Sequence, residues 1–316
     1  MLSNQSADLR QLATVTVTFF PDLSILESQL RRLPAASLKV IVDNQSGPET
    51  VAALKQLAAS LQRTLILENG ANLGLPAAIN RGVRLALEAS PECRYVLWLD
   101  QDTELPQGGA EDLLEQYEGL CRRGLNPGCV GPRLIDAETG LEHGFHQIRG
   151  IRWTRCYPAP NEAVVDCQNL NCSGTLMSRD VWARLGGLEE SLFLDHLDTE
   201  WSFRVRAAGY GLFGIPAIAF VHRMGQTSWR VWLWGWKIWP YRSPIRHFFL
   251  FRNAILLMRR DYVPRVWKFW AALKLLITAL IHLIWDTQRR AQLCNMFRGV
   301  CAGFQGNVDN SSSRFL

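Results

Sequence analysis

The sequence lacks several patterns that would assign it quickly to a class. Its eight cysteines form no Cys-x-x-Cys pair, and the first dozen residues contain no apolar core of a signal peptide. We therefore expect reduced thiols and a cytoplasmic location. There is no Gly-x-Gly-x-x-Gly fingerprint either, because Gly70 and Gly74 are spaced wrongly and no third glycine opens the following helix. A dinucleotide site is disfavoured.

A long uncharged apolar run is also missing. Segment 266–285 is strongly apolar, but Lys268, Lys274 and His282 interrupt it. Its longest uncharged run covers only residues 275–281. Because a transmembrane helix needs roughly 20 consecutive apolar residues, the sequence argues against a membrane span.

Charge and tryptophan are unevenly distributed along the chain. Its 316 residues, 48% of them hydrophobic, suffice for an α/β core and an appendage. Residues 1–221 carry 19 Lys and Arg against 26 Asp and Glu, a net charge of −7, whereas residues 222–316 carry 15 against 3, a net charge of +12. Eight of the twelve tryptophans also lie in the second part. This composition fits an anionic membrane surface or nucleic acid, and we expect no nucleic acid because no base-reading module accompanies the charge.

Strand and helix patterns alternate in the first half. Short β-branched or apolar runs predict strands at residues 13–20, 38–42, 64–67 and 95–99, and apolar residues at helical spacing predict helices at 23–33, 48–61 and 77–89. Such alternation predicts a parallel sheet with helices on both faces. Ligands of these sheets bind at the carboxyl ends of the strands.

Two acids stand at one such end. Asp100 and Asp102 follow the apolar run 95–99, and residues two apart in extended backbone point to the same side. Two carboxylates placed in this way can hold a divalent cation against a diphosphate. The alternative for this motif alone is a solvated turn.

Two further segments contain residues suited to anion binding or to acid–base catalysis. The glycine-containing segment 72–82 can bring backbone amides close to an anion, or can be a tight turn before a capped helix. Asp195, Asp198 and Glu200 lie within six residues. If this segment is helical, Asp195 and Asp198 face the same way, and like charges this close raise carboxyl pKa values and favour an acid or base role. The alternative is a helix start, where acids are favourable.

The order of these motifs resembles the inverting family 2 glycosyltransferases with the GT-A fold. The matching segments are VTVTFFP, VIVDNQS, NLGLPAAINRG, LWLDQDT, SGTLMSRDVWARLGGLEESLFLDHLDTEWSFRVRAAGYG and VHRMG. The spellings DQDT and DHLDTEW are similar to bacterial rhamnosyltransferases of O-antigen, surface-polysaccharide or rhamnolipid assembly. The resemblance implies an α/β, Rossmann-like GT-A domain over residues 1–225, with a mostly parallel central sheet and flanking helices, followed by a basic, Trp-rich helical region over residues 226–316.

Matched position by position, the resemblance also implies roles for residues. Asp198 matches the acid that acts as catalytic base. Asp102 matches a ligand of Mg²⁺ or Mn²⁺, and His222 matches a histidine that helps hold the metal or diphosphate, although a satisfied histidine after a strand is the alternative. Glu200 and Trp201 match positions near the acceptor and donor sugars. Residues expected to bind the nucleotide sugar are Thr18, Phe20, Asp43, Asn72, Gly74, Asp100 and Gln101.

The implied function is an inverting transfer of a sugar, L-rhamnose from dTDP-L-rhamnose, to a hydroxyl of a lipid-linked or glycolipid acceptor. Two alternatives stay open from the sequence. The Asp-x-Asp-x-Thr pattern also matches haloacid-dehalogenase-like phosphatases, with Asp100 as nucleophile. A non-catalytic membrane scaffold is the other alternative.

The C-terminal region indicates where the protein acts. Its lysines, arginines and tryptophans on apolar segments suit the headgroup boundary of an anionic bilayer. We expect peripheral attachment to the inner face of the plasma membrane. The alternatives are a helical cap on the catalytic domain and a homo-oligomer interface.

Overall fold

The computed structural model describes residues 8–223, 228–232, 236–240 and 242–306. Several sequence predictions lie outside these residues. They are the end of the VHRMG motif with the predicted boundary at 225, Trp234, the side chains of the other tryptophans between 229 and 239, and the polar tail after residue 306.

The strands appear where the sequence predicts them in the first half. They are β1 (Leu12–Thr18), β2 (Leu38–Asp43), β3 (Thr64–Glu68), β4 (Tyr95–Asp100), β5 (Thr103–Glu104), β6 (Pro127–Asp136), β7 (Phe145–Arg149), β8 (Arg152–Cys156), β9 (Val165–Asp166), β10 (Leu176–Ser178), β11 (Gly211–His222), β12 (Ser228–Trp232) and β13 (Trp236–Pro240). The main sheet has the order β3-β2-β1-β4-β10-β6-β11-β5, and β9 pairs with β11.

This sheet is parallel from β3 to β4, as predicted. Beyond β4 it is mixed rather than mostly parallel, because β10 runs antiparallel to both β4 and β6. The short strand β5 pairs antiparallel with the end of β11. This pairing brings the turn after β4 next to the last residue of β11, His222.

The helices are α1 (Leu23–Arg32), α2 (Pro48–Ala59), α3 (Leu75–Ala89), α4 (Gly109–Arg122), α5 (Arg179–Leu185), α6 (Leu197–Ala207), α7 (Pro244–Met258), α8 (Arg265–Trp285) and α9 (Arg289–Gln305). The first three confirm the predicted helices to within a few residues. Local sequence explains their starts. The Asp22 side chain accepts hydrogen bonds from the first backbone amides of α1, and prolines stand in the first turns of α2 and α3.

Two apolar cores cover the two faces of the sheet. Neighbouring residues of one strand belong to different cores, as Val40 and Ile41 do in β2, because side chains alternate along a strand. Helix α3 packs on the first face together with parts of α6, α7 and α8, and helices α1, α2 and α4 cover the second.

The C-terminal region is helical from α7 onward, as predicted, but it begins with the hairpin β12–β13. Helices α7 and α9 pack very closely because α9 carries Gly299 and Gly303 at the contact, where a Cβ at Gly299 would lie 2.5 Å from the carbonyl oxygen of Phe248. The helical cap, which was an alternative from the sequence, is part of the structure: Trp267 of α8 is buried against Phe203 of α6.

Helix α8 alone, among the described helices, is long and apolar enough to cross a bilayer, with a mean hydropathy of 1.5. Core helices of other proteins meet the same criteria while being mostly buried, whereas only 22% of the apolar window of α8 is buried. The sequence argument against a span stays a prediction.

Candidate active site

The turn between β4 and β5 carries the two predicted acids. Its backbone is held by the fully buried Gln29 of α1, whose Nε2 donates to the carbonyl oxygens of Asp100 at 2.8 Å and Thr103 at 2.7 Å. From the other side, the Asp100 amide donates to Ser173 Oγ at 3.1 Å. Both carboxylates therefore project from a fixed backbone.

His222 lies beside these acids, as the sheet pairing requires. Its Nε2 is 3.0 Å from Asp100 Oδ2 and 3.3 Å from Asp102 Oδ1. One ligand atom from each of the three residues lies within 4.8 Å of the others. Burial alone would lower the pKa of His222, but the hydrogen bond to Asp100 and the charges of both acids raise it. Burial raises the pKa of Asp102, against the effect of His222.

These three side chains fit a divalent cation. Two carboxylate oxygens and one imidazole nitrogen form an oxygen-rich set that suits Mg²⁺ or Mn²⁺. In addition, His222 Nδ1 is buried and has no hydrogen-bond partner among the described residues. No contact at Nδ1 therefore sets the ring tautomer, and Nε2 is available to bind an ion.

Asp198 lies in the first turn of α6. Its Oδ1 accepts hydrogen bonds from the Thr199 amide at 2.7 Å and from Thr199 Oγ1 at 3.2 Å. Burial raises its pKa to about 6, the Thr199 hydrogen bonds oppose this, and the charges of Asp195 and Asp100 add to it. Burial raises the pKa of the Cys172 thiol, and the charges of Asp100 and Asp198 raise it further. Trp201 of α6 packs against Trp98 of β4, with ring centroids 5.6 Å apart, so the structure brings the start of α6 and the end of β4 to one region.

The structure shows a helix start at Asp195 and Asp198, which was the alternative from the sequence, and Asp195 lies outside the helix. Helix α6 begins only at Leu197, and His196 before it has a left-handed backbone with φ of 63°. Phe193 and Asp195 also have positive φ, of 59° and 57°. Such conformations are costly for residues other than glycine and persist where the surroundings hold them.

Helix α7 holds this strained loop, which we call the base loop (residues 190–196). Asn253 is fully buried, and its Nδ2 lies 2.8, 2.6 and 2.9 Å from the carbonyl oxygens of Leu192, Leu194 and Asp195. Arg252 donates to the Ser191 carbonyl at 2.7 Å. The C-terminal region therefore fixes the backbone that leads into Asp198.

The sequence left the role of Asp195 open, and its surroundings in the structure indicate one. Its carboxylate is paired with Arg242 and Arg246, the second at 3.2 Å, and its side chain is only 7% exposed. Burial would raise the pKa of Asp195, but the two guanidinium groups outweigh it and lower the pKa. Asp195 is therefore the charged anchor between the base loop and α7.

The segment with Asn72 and Gly74, which is predicted to bind the donor and which we call the donor loop, packs against the base loop. Gly74 has a φ of 84°, and a Cβ there would lie only 2.6–2.9 Å from atoms of Phe193. The Leu75 amide donates to the Phe193 carbonyl at 2.8 Å. Asn72 Oδ1 accepts from the Asn44 side chain at 2.9 Å and from the Gly74 amide at 3.0 Å. Glycine is thus required here by a close backbone approach.

The other residues predicted to bind the nucleotide sugar lie at or just after the ends of β1, β2 and β4. Asp43 is 2% exposed and its carboxylate accepts from the Ser46 amide at 3.1 Å. Thr18 is fully buried beside it, whereas Phe20 is 60% exposed. Gln101 pairs with the Phe19 backbone, accepting at 2.7 Å and donating at 3.2 Å. Their contact with a nucleotide stays a prediction.

Glu200 and Trp201 face the interior. Glu200 is 1% exposed and accepts from Arg204 at 2.8 Å and from Tyr262 at 2.7 Å. Trp201 is 2% exposed and its Nε1 donates to Cys129 Sγ. This burial favours supporting roles, and contact of either side chain with a sugar stays a prediction.

Sequence reasoning missed the residues that hold the acids in place. Gln29, Ser173 and Asn253 are polar and buried. Gln29 and Asn253 stand in segments with no recognisable motif, and Ser173 begins the matching SGTLMSRD segment without a predicted role. Gln29 had one usable signal, since a polar residue replaces an apolar one between Leu26 and Leu30 of an amphipathic helix. The partners of Asn253 lie about 60 residues earlier in the chain, so no local pattern reveals them.

A mixed sheet of this order, with flanking helices and an acidic turn after its fourth strand, has the GT-A fold. The Glycosyl transferase family 2 profile matches residues 38–179. The match covers less than half of the chain, and it shows that this segment is similar to glycosyltransferase family 2. The family match and the position of the acids on the fourth strand remove the support for a haloacid-dehalogenase-like phosphatase.

Similar proteins include the dTDP-rhamnosyl transferase RfbF of Shigella flexneri, 29% identical over 280 residues, which are 87% of this chain and 88% of that protein. An N-acetylglucosaminyl-diphospho-decaprenol L-rhamnosyltransferase of Mycobacterium tuberculosis is 25% identical over 245 residues, 69% of this chain and 78% of that protein. The fold is also similar to that of a mannosyltransferase from Pyrobaculum calidifontis solved with GDP-Man and Mn²⁺, with a TM-score of 0.54, 15% identity and coverage of 96% of this chain and 90% of that one.

Proposed function

We propose that this protein transfers L-rhamnose from dTDP-L-rhamnose, with inversion, to a hydroxyl of a lipid-linked acceptor. The observation that carries the transfer is the placement of Asp198, an acid with a raised pKa, in the same region as the Asp100, Asp102 and His222 cluster. The donor sugar is supported by the names of the two relatives, both of which are rhamnosyltransferases.

In this mechanism the Asp198 carboxylate takes the proton of the acceptor hydroxyl as its oxygen attacks C1 of the sugar. The new bond forms on the face opposite the nucleotide, and the bond from C1 to the diphosphate oxygen breaks. The nucleoside diphosphate leaves with the bonding electrons. The base loop and α7 hold Asp198 at the required position, which is the main contribution of the protein to a reaction that depends on orientation.

The residues that would hold a divalent cation are Asp102 and His222, with Asp100 beside them. Such an ion supplies neutralising charge to the donor diphosphate. The expected donor contacts come from the β1 and β2 ends (Thr18, Phe20 and Asp43) and from Asn72 and Gly74 of the donor loop.

The C-terminal region supports attachment to a membrane surface. Helices α8 and α9 expose large apolar side chains, and two exposed arginines, Arg289 and Arg290, begin α9. The apolar side chains are Phe269, Leu276, Leu280, Leu283, Ile284, Phe297 and Phe304. Exposed apolar side chains together with cations suit the headgroup boundary of an anionic bilayer. We call these seven apolar side chains the outer face.

A panel of nucleotide sugars, tested with and without Mn²⁺, tests this function. We expect metal-dependent turnover of dTDP-L-rhamnose above that of other donors. Asp102→Ala should lose metal-dependent donor binding, whereas Asp198→Asn should bind donor and lose transfer. The exposed helical acid Asp112 provides the control, and Asp112→Ala should behave like wild type. If both active-site variants transfer sugar normally, the assignment of these acids is wrong. If wild type turns over no nucleotide sugar and glycan assembly in cells is unaffected by both substitutions, the non-catalytic scaffold that the sequence left open is favoured.

A further inference from the structure

Helix α8 has one charged side chain on the face that it turns toward the rest of the protein. Trp267, Thr278 and Ile281 are buried on that face. Lys274 stands two helical turns after Trp267 and one turn before Thr278, so it shares their direction. Yet Lys274 is exposed, unlike these neighbours. An exposed residue on an inward face marks a solvent-filled cleft between α8 and the catalytic half.

Contacts at both sides of Lys274 locate this cleft. The Trp267 ring lies 5.7 Å from the ring of His196, at the start of α6. Trp270 Nε1 donates to the Ile151 carbonyl, in the turn between β7 and β8, at 2.9 Å. The cleft therefore lies between the end of the base loop and the β7–β8 hairpin.

The charged groups that shift the pKa of Lys274 agree with this position near the end of the base loop. Although solvent reaches the side chain, protein surrounds it on most sides, and this burial lowers the pKa of Lys274 to about 8. The guanidinium groups of Arg242 and Arg155 lower it further, while Asp195 and Asp198 oppose them. Lys274 is still mostly protonated at neutral pH.

Lys274 differs from these two arginines because it has no partner. Arg242 is paired with Asp195, and Arg155 donates to His146 Nε2 at 3.1 Å. Within the described parts of the chain, Lys274 Nζ has no hydrogen bond and no ion pair. A cation held in a confined cleft beside two other cations costs free energy unless an anion binds there.

We propose that Lys274, flanked by Arg155 and Arg242, binds a phosphate or diphosphate group of the acceptor. This inference rests on the proposed function. The charges of Asp195 and Asp198 raise the pKa of Lys274. The charge of Asp100, in the candidate metal cluster, raises the pKa of Asp198. Asp198 thus connects the two regions, with the donor diphosphate expected at the strand ends and the acceptor anion at α8.

The opposite side of the same helix strengthens the choice of an acceptor that carries both phosphate and lipid. The exposed residues Phe269, Leu276 and Leu280 belong to the outer face. A helix with its side chains is about 10 Å across, so a bilayer against the outer face would lie about that distance from the cleft. A diphosphate linked to a membrane-embedded prenyl chain is held close to the bilayer surface, within this range.

Binding of farnesyl diphosphate and farnesol tests the proposal without knowledge of the acceptor sugar. Calorimetry is done on the full chain with saturating dTDP and Mn²⁺, so that the donor diphosphate site is filled. We expect wild type to bind farnesyl diphosphate and not farnesol, and Lys274→Gln to weaken that binding about tenfold, as loss of a charge-assisted contact does. Arg265→Gln is the matched control, because exposed Arg265 stands nine residues earlier, on the opposite side of α8.

The outcomes separate this site from the function on which it rests. Failure of dTDP to bind wild type with Mn²⁺ contradicts the proposed donor site, and is seen before any prenyl compound is added. If dTDP binds but Lys274→Gln binds farnesyl diphosphate as wild type does, the acceptor-anion site is overturned. Equal weakening by Arg265→Gln, or equally tight binding of farnesol, also overturns it.

Discussion

At the scale of single residues, the burial of Asp198 determines how the reaction depends on pH. Its pKa of about 6 exceeds the usual carboxyl value because burial and the charges of Asp195 and Asp100 disfavour the ionised form. A general base must be ionised, and a base with a pKa just below neutral pH combines ionisation with proton affinity. The same burial therefore prepares the group for catalysis and destabilises its charged form.

We predict that kcat/KM is constant above about pH 7 and falls about tenfold for each pH unit below about pH 6. The physical reason is that protonated Asp198 cannot accept the acceptor proton. A pH–rate profile of sugar transfer, with metal-dependent donor binding measured separately at each pH, checks this result. A profile that stays flat down to pH 4.5 would contradict the role of Asp198.

Asp198→Asn is the companion to this measurement. Since the folded-state pKa is raised, the stability contributed by the protonated form is complete below the unfolded value near 3.8 and is lost as the pH rises through about 6. The neutral variant should therefore be at least as stable as wild type at pH 7 while losing roughly 100- to 10,000-fold in rate.

At the scale of secondary-structure elements, α7 acts on the site through the base loop. Asn253 and Arg252 satisfy carbonyl groups of that loop, and Arg242 and Arg246, which flank the start of α7, hold Asp195. These contacts compensate for three residues with unfavourable positive φ just before Asp198. The C-terminal region therefore holds the backbone that leads into the proposed catalytic base, and it also carries the proposed attachment surface.

Asn253→Ala should lower kcat by at least tenfold and leave the donor KM nearly unchanged, because it frees the base loop and not the donor site. It should also lower the free energy of unfolding by about 1–3 kcal/mol, since buried carbonyl groups lose their donor. Steady-state kinetics well below the melting temperature separate the two effects. Asn295→Ala, on the exposed side of α9, is the control; a donor KM that rises as much as kcat falls would point to a general loss of structure.

The contact between α7 and α9 is set by glycine. At Gly299 an added Cβ would meet the backbone oxygen of Phe248 at 2.5 Å, and backbone cannot move aside cheaply. We predict that Gly299→Ala destabilises the protein by about 1–3 kcal/mol, as overpacking does. Gly119→Ala in α4 is the matched control, because a Cβ there meets only the end of the Arg122 side chain at 3.8 Å, and alanine favours the helix. Denaturant unfolding of both variants gives the comparison, and equal stability of the two contradicts the packing argument.

The sequence predicts the first strands and helices well, but it does not reveal the residues that hold the active-site loops in place. Strands β1–β4 and helices α1–α3 follow from apolar periodicity, and the acids after β4 follow from the strand end. The sequence did not show that α6 begins after Asp195, because the left-handed backbone of Asp195 and His196 has no glycine to reveal it. Asn253 was missed because its role depends on packing between distant segments.

At the scale of the whole molecule, the two charge regions of the sequence serve different surfaces. The acidic half contributes the strand ends with Asp100 and Asp102, and the basic half contributes His222 and packs on the base loop. Its inner side is buried, as Trp267 shows, and its outer side exposes Phe269 and Leu280. The cap and the membrane surface, which were alternatives from the sequence, are thus compatible as the two sides of one helical layer.

Removal of the outer face tests membrane attachment directly. The triple variant Phe269→Ser, Leu276→Ser, Leu280→Ser should lose most binding to vesicles that contain anionic lipid, because it removes exposed apolar area without touching buried side chains. Wild-type binding should weaken with salt, since the exposed arginines at the start of α9 attract the lipid headgroups. Vesicle co-sedimentation measures both effects. The control is Leu125→Ser with Leu141→Ser, two exposed leucines of the acidic half, which should bind as wild type does. Because metal-dependent dTDP binding should be unchanged in all variants, loss of vesicle binding with intact dTDP binding assigns attachment to α8. Equal vesicle binding by wild type and the triple variant would show that another surface meets the membrane.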